Sequence, residues 1–444
     1  MYIKGRKRSK STCLTIKDAE LDRISSLPGN VTDQILLHLP IKEALRTSVL
    51  SSKWRNKWYT MPNLVFDKHC VSDATFQDPS GISNKFLRIV DHVLLLHSGS
   101  IDKFKICDKY QNLIGMSPAT DTARWILHLI RRSIKELVLD IRTGQSYKIP
   151  WCLFSCQSLH HLELTSCWLK PPTTFEGFRN LESLSLIEVT MTQDAFENLI
   201  FKCPLLETLE LVNLHGFTQI NIHTPNLKSL LIVGKFDDIS FDKTFQFVTV
   251  LVDLSLYLNS ETNQRRLHGC SSSLLNFFNH RPRIVGLVMK NYFLKYLAAG
   301  VVPVKLPTPC IHLSHLLLNI NFNDLKEISA ALCLLRSSPN LRKLKISARI
   351  EEQTDLLTPA SYCWEDIFSR PDMPLKVQHV TIDIISGFQS ELDFIRFLLL
   401  NSPMLEKMTV KPLGNVRPEL VTELIRFKSA SGEAEVIYHV EDSS

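Results

Sequence analysis

A six-residue pattern, L-x-x-L-x-L with aliphatic substitutions, recurs down most of this chain and restricts its fold more than any other feature. Copies begin at Ile134 (IKELVL), Leu159 (LHHLEL), Leu181 (LESLSL), Leu206 (LETLEL), Leu227 (LKSLLI) and Leu251 (LVDLSL). They continue at Ile284 (IVGLVM), Leu313 (LSHLLL), Leu341 (LRKLKI), Val377 (VQHVTI) and Leu405 (LEKMTV), with a weaker copy at Ile101 (IDKFKI). The eleven clear starts span 271 residues, a mean spacing of about 27, within the range of leucine-rich repeats. The fourth and sixth positions lie two apart, so in a strand both point the same way. One unit cannot bury that face alone; neighbouring strands must stack in parallel and share a core, which is a solenoid. The third, fifth and seventh positions then point away from the core, onto an expected concave face.

Helices are expected between the strands. AFENLIFKCP (Ala195–Pro204), LKEISAALCLLRSSP (Leu325–Pro339) and ELDFIRFLLLNSP (Glu391–Pro403) carry apolar residues at helical spacing. Each stops at a proline, which cannot continue a helix. The later spacings are long and uneven, which predicts an irregular solenoid. The stretch Asp67–Asn84 (DKHCVSDATFQDPSGISN) reads as a loop.

The chain has 444 residues, 44% apolar and 22% charged, proportions of a folded protein. Of its net charge of +6, residues 1–20 supply +4 and the other 424 only +2. A nearly neutral body gives no sign of a nucleic-acid-binding domain. The basic start around Lys4–Lys10 reads either as a solvated tail or as a nuclear-import patch. It has no apolar segment behind it, so no secretory signal is expected. No run is apolar enough for a membrane helix. The expected location is the nucleus, the cytoplasm or both. Eleven cysteines without a C-x-x-C fit a reducing compartment. His160 and His161 beside Cys156 and Cys167 lack finger spacing, so no metal and no other cofactor is expected.

Residues 22–67 form a separate apolar module. Val31, Ile35, Leu36 and Leu39 make one helical stripe, with Asn30 the expected N-cap and Pro40 the stop. Ile41, Leu45, Val49 and Leu50 make a second, and Trp54 and Trp58 sit four apart on an expected third helix. About forty residues carrying this much apolar surface cannot bury all of it by themselves.

The stretch L-P-x-x-V-x-x-x-I-L-x-x-L-P, then A-x-R-T-S-V-L-S-x-x-W-R-x-x-W (Leu27 to Trp58), resembles the F-box of plant F-box proteins. MPLKVQHVTIDIISGFQSELDFIRFLLLNSPMLEKMTV and the tail R-F-K-S-A-S (Arg426–Ser431), expected to form a strand, are similar to the FBD region of plant F-box/FBD/LRR-repeat proteins. The resemblance implies an α/β chain: a three-helix F-box, then an irregular leucine-rich-repeat solenoid with parallel strands on its concave face, capped by the FBD region. The expected boundaries are a basic tail at 1–20, F-box at 21–66, linker and first helix at 67–100, repeats at 101–370 and FBD region at 371–440.

The same resemblance implies a substrate-recognition subunit of a Skp–cullin–F-box ubiquitin ligase, not an enzyme. The F-box docks on a Skp-type adaptor and through it a cullin, and the repeats bind a protein target. The expected adaptor face is Leu27, Pro28, Val31, Ile35, Leu36, Leu39, Pro40, Leu45, Val49, Leu50, Trp54 and Trp58. For the target, the outward strand positions read acidic early (Glu136, Asp140, Glu163, Glu210, Asp253) and basic late (Lys290, Lys343, Lys345, Lys407, Lys411, against Asp383). An apolar waist of Leu231, Val233, Tyr257, Val288 and Leu317 lies between them. Two alternatives stand beside this reading: an F-box interaction scaffold without ubiquitin transfer, and a small-molecule sensor. No nucleotide-binding, zincin or nucleophile-elbow motif is present.

Overall fold

The computed structural model describes residues 24, 26–71, 79–107, 119–142, 146–241, 244–255, 274–279, 283–349, 374–413, 424 and 426–438. The basic tail at 1–20 and Tyr257 lie outside the described residues. Fourteen strands form one sheet in unbroken chain order. They are β1 (Asn63–Phe66), β2 (Lys103–Cys107), β3 (Glu136–Asp140), β4 (His161–Thr165), β5 (Ser183–Ile187), β6 (Thr208–Val212) and β7 (Ser229–Gly234). Then come β8 (Thr249–Leu254), β9 (Gly286–Asn291), β10 (His315–Ile320), β11 (Lys343–Ala348), β12 (His379–Ile385), β13 (Lys407–Pro412) and β14 (Glu435–Tyr438). Every neighbouring pair is parallel.

The repeat logic holds strand by strand. Leu209 and Leu211, Leu230 and Ile232, and Leu344 and Ile346 are buried, while the residues between them stay partly exposed. Among the described residues the helices are α1 (Gly29–Leu37), α2 (Ile41–Arg46), α3 (Pro79–Leu96), α4 (Ala119–Ile130) and α5 (Gln193–Phe201), then α6 (Leu274–Phe278), α7 (Phe293–Leu297), α8 (Leu325–Ser337) and α9 (Gln389–Asn401). The three helices expected between repeats are α5, α8 and α9. Their caps explain their starts: the Thr192 side chain accepts from the Ala195 N–H and Asp324 from the Lys326 N–H.

Several expectations change. The sheet begins inside the module, at β1, and not at residue 101. The Met61–Phe66 segment carries the repeat pattern in disguise, with Leu64 and Phe66 fully buried. Pro79 opens α3 within the expected loop, because a proline is favoured at the first helical position. The unit expected at Leu251 starts at Phe247, since Thr249 pairs with Ser229. The slip is four residues, an even number, so strand parity survives. Leu251, however, becomes an outward residue instead of a repeat start. The residues expected to form the FBD region continue the same sheet through β12, β13 and β14. Its last strand is Glu435–Tyr438, after the expected Arg426–Ser431. That earlier segment holds the chain in place, with Ser431 Oγ donating to the Leu405 carbonyl at 2.7 Å.

The N-terminal module is fastened to the solenoid end. α1 starts at Gly29 with Pro28 as its cap, not Asn30, and Pro40 caps α2. The third helix is replaced by turns and a 3₁₀ segment, Lys57–Thr60. The carbonyl of Tyr59 in that segment accepts from the Ser98 N–H at 2.8 Å and the Gly99 N–H at 3.2 Å. Arg132 Nη2 donates to the His97 carbonyl at 2.8 Å. His97 is buried and its Nε2 lies 2.8 Å from the Met61 carbonyl, so Nε2 carries the proton. Burial first, and Arg132 beside it, push its pKa below the usual histidine value.

Two outcomes follow at this junction. A Cβ on Gly99 would lie 2.9 Å from the Thr60 Cα, which is backbone and cannot swing aside. Gly99→Ala is expected to lower the melting temperature and to speed amide exchange at residues 98 and 99. For His97, the unfolded chain takes up the proton that the folded chain refuses. The histidine's contribution to stability therefore rises with pH and is lost as pH falls below about 6.5. Protection factors of the junction amides, measured against intrinsic exchange at each pH, are expected to fall in that window in the wild type and less so in His97→Gln.

Candidate interaction surfaces

The module divides the motif residues between two sides. Leu36 is 1% exposed, Trp54 2% and Trp58 4%. Trp54 Nε1 donates to the Ile24 carbonyl at 3.2 Å, and Trp58 packs edge-on against Tyr59. These three residues, expected on the adaptor face, form the module's own core with Ile41, Ala44 and Met61. The outer side carries the rest. Val49 is 87% exposed, Leu50 49%, and Val31 and Ile35 38% each. Pro28 and Pro40 are exposed, and Leu27, Leu39 and Leu45 are half-buried. Ile24, outside the motif, is also exposed, at 47%. So much exposed apolar surface on so small a unit makes it a candidate interaction site. Surface bonds brace it: Lys53 Nζ donates to the Leu27 carbonyl, and Lys57 bonds Asp33 at 2.6 Å.

The second surface is the outward side of the sheet. Glu163, Glu210, Leu231, Val288 and Leu317 are half-buried there, and Lys290, Lys343 and Lys345 are exposed. Charge is less segregated than the repeat pattern suggested. β2 adds Lys103 and Lys105 to the early half, and Lys103 pairs with Glu136 at 2.7 Å. Asp140 is buried and held by Arg142 Nε at 3.1 Å. In the late half Lys345 pairs with Asp383 at 2.7 Å. The missed Lys103 and Lys105 sit in the weak copy at Ile101, where Phe104 and Ile106 supply the buried alternation.

Buried ionisable groups serve the fold. Glu327 accepts from the Asn321 N–H at 3.0 Å and from Arg349, whose guanidinium lies 4.4 Å from the Tyr292 ring centre. Burial raises its pKa to about 7. Glu391 is raised for the same reason, although it accepts from the Ser386, Gly387 and Phe388 N–H groups at the start of α9. Burial raises the thiols of Cys70, Cys203, Cys310 and Cys333, which suits packing rather than nucleophilic chemistry. Among the described residues no group of three or more His, Cys, Asp or Glu is placed to hold a metal ion. No helix there is long and apolar enough to cross a membrane. A cleft lined by Ala299, Val301, Val302, Leu325, Lys326 and Ser329 adjoins the start of α8.

Comparison with known proteins covers both surfaces. Residues 24–66 match the F-box domain model. Residues 122–346 match the model described as FBD-associated F-box protein At5g56370, LRR repeats. The F-box/FBD/LRR-repeat protein At1g13570 of Arabidopsis thaliana is 37% identical over 424 residues, covering 94% of this chain and 98% of that one. FBD-associated F-box protein At1g66310 of the same organism is 27% identical over 95% of this chain and 96% of that one. F-box/LRR-repeat protein 13, also from Arabidopsis thaliana, is 34% identical over 43% of this chain and 41% of its own length.

The inner and outer sides of the module are separable by stability. Trp54→Ala is expected to cost about 3–5 kcal/mol, the range for emptying a buried aromatic site. Val49→Asp, at an exposed position, should change stability by no more than about 0.5 kcal/mol. Thermal and urea denaturation of the two variants check this.

Proposed function

The chain belongs to the F-box/FBD/LRR-repeat family, and from that premise we propose that it is the substrate-recognition subunit of a Skp–cullin–F-box ubiquitin ligase. The observation that carries the reading is the uncovered apolar face of Pro28, Val31, Ile35, Val49 and Leu50 on a module whose tryptophans are already used inside. A Skp-type adaptor would complete that face and bring a cullin with it. The outward sheet positions, including Glu163, Glu210, Leu231, Val288, Lys290, Leu317, Lys343 and Lys345, would receive a protein target.

The mechanism needs no catalytic residue in this chain. Binding the target and the ligase at once raises the local concentration of target lysines near a charged conjugating enzyme. A rigid link helps, because lysines must be presented at a fixed place. The Tyr59–Ser98–Gly99 and His97–Met61 bonds join the module to the chain that leads into β2. The scaffold alternative uses the same docking face but ends without ubiquitin transfer.

Val49 and Leu50 are the residues to change, because both are exposed and neither holds the module together. A central apolar residue at a desolvated interface is worth about 2 kcal/mol or more on truncation. Val49→Asp with Leu50→Asp is expected to abolish pull-down of a Skp-type adaptor while the melting curve stays unchanged. Retained adaptor binding would refute the docking face. Adaptor binding without cullin-dependent ubiquitylation of captured proteins would favour the scaffold.

A further inference from the structure

Strand register places six residues in one line across six adjacent strands. Glu210 of β6 pairs with Leu231 of β7, Leu231 with Leu251 of β8, and Leu251 with Val288 of β9. Val288 then pairs with Leu317 of β10, and Leu317 with Lys345 of β11. The line reads acid, four aliphatics, base. All four aliphatics are half-buried on the outward side of the sheet, where most strand residues of this chain are polar. Gly286, two residues before Val288, adds relief: a Cβ there would touch only Thr249 Cγ2, at 3.8 Å. Lys343 lies exposed beside Lys345 on the same strand.

We infer that this line receives an amphipathic helix of the target, with acidic residues at its N-terminal end and basic residues at its C-terminal end. The inference rests on the receptor reading above and deepens it. The strands in question are interior and paired on both sides, so their backbone groups have nothing to offer an added strand. Recognition must be by side chains. Neighbouring strands lie about 4.8 Å apart, and a helix brings its stripe back about every 5.4 Å. One apolar residue per turn therefore meets one strand across the four aliphatics. An extended peptide repeats its facing side chains about every 6.8 Å and falls out of step within two strands.

Charge fixes the direction. Five strand spacings separate Glu210 from Lys345, about 24 Å, which a helix of about sixteen residues spans. Its basic end lies over Glu210, with Glu163 two strands further on. Its acidic end lies over Lys343 and Lys345, of which Lys345 already shares Asp383. Helices are themselves stabilised by acids at the N-terminus and bases at the C-terminus. The N-terminal end therefore points toward β11.

The test is selection of peptides on the full-length chain. The probe is a displayed library of eighteen-residue peptides with a fixed helical leucine stripe and randomised charges at both ends. The expected result is enrichment of acid-first, base-last sequences. Val288→Glu should weaken an enriched peptide at least tenfold, and so should Leu317→Ser, a milder change, in preparations with an unchanged melting curve. Glu210→Lys combined with Lys343→Glu and Lys345→Glu should invert the preferred charge order. No enrichment, enrichment in the opposite order, or undiminished binding to both single variants would overturn the inference. Adaptor binding is measured on the same preparations. Helix capture without adaptor binding leaves this site standing and removes the receptor reading; adaptor binding without helix capture does the reverse.

Discussion

Lateral stacking of parallel strands is the interaction on which everything else in this protein depends. Each unit offers two or three aliphatic residues to the interior and has no partner of its own for them. Burial comes only from the next unit, and the next, through fourteen strands in chain order. A structure built this way has two ends, and at each end one strand would present its apolar interior to water. The N-terminal module answers that problem first. It supplies β1 itself and packs its small core against the buried Leu64 and Phe66. At the other end the sheet extends through β14, whose approach is tied to the Leu399 and Leu405 carbonyls.

The size of the module explains which of its apolar residues stay exposed. A module of about forty residues has too little volume to enclose all its apolar side chains. Leu36, Trp54 and Trp58 go inside because they sit where the module folds upon itself and upon the sheet. Val31, Ile35, Val49 and Leu50 remain outside. The same unit therefore carries both buried contacts to β1 and exposed apolar residues, and hydrogen bonds at Tyr59 and His97 tie it to the chain that leads into β2. Whatever binds the sheet is held at a set distance from whatever binds the module.

Much of this was legible in the residues. The spacing of two between buried positions fixed which residues face inward, and that survived even where the unit at Leu251 was placed four residues late. The weak copy at Ile101 and the three proline-terminated helices also lie where the pattern put them. The missed strands, β1 and β14, lacked a repeat start that reads as aliphatic: one begins after Met61 and the other after Glu433. The missed third helix has a local cause, since the tryptophans are four apart but the segment around them is held by turns and one 3₁₀ element. The acidic half of the outward face was overstated because Lys103 and Lys105 belong to the strand with the weakest signature.

The chain's own order of residues determined that it would be a solenoid with an apolar knob at its front, and which side of each strand would face the core. Period and parity are local properties, and a two-residue alternation cannot be read two ways once one face is buried. Only the tertiary structure decided which knob residues turn inward. The repeat starts already set Glu210, Leu231, Val288, Leu317 and Lys345 at the same position of their units, and the tertiary structure added Leu251 to that line. The register of β8 is set by how the segment before it packs, and the sequence cannot choose it because Phe247 and Leu251 both offer an apolar start of the same parity.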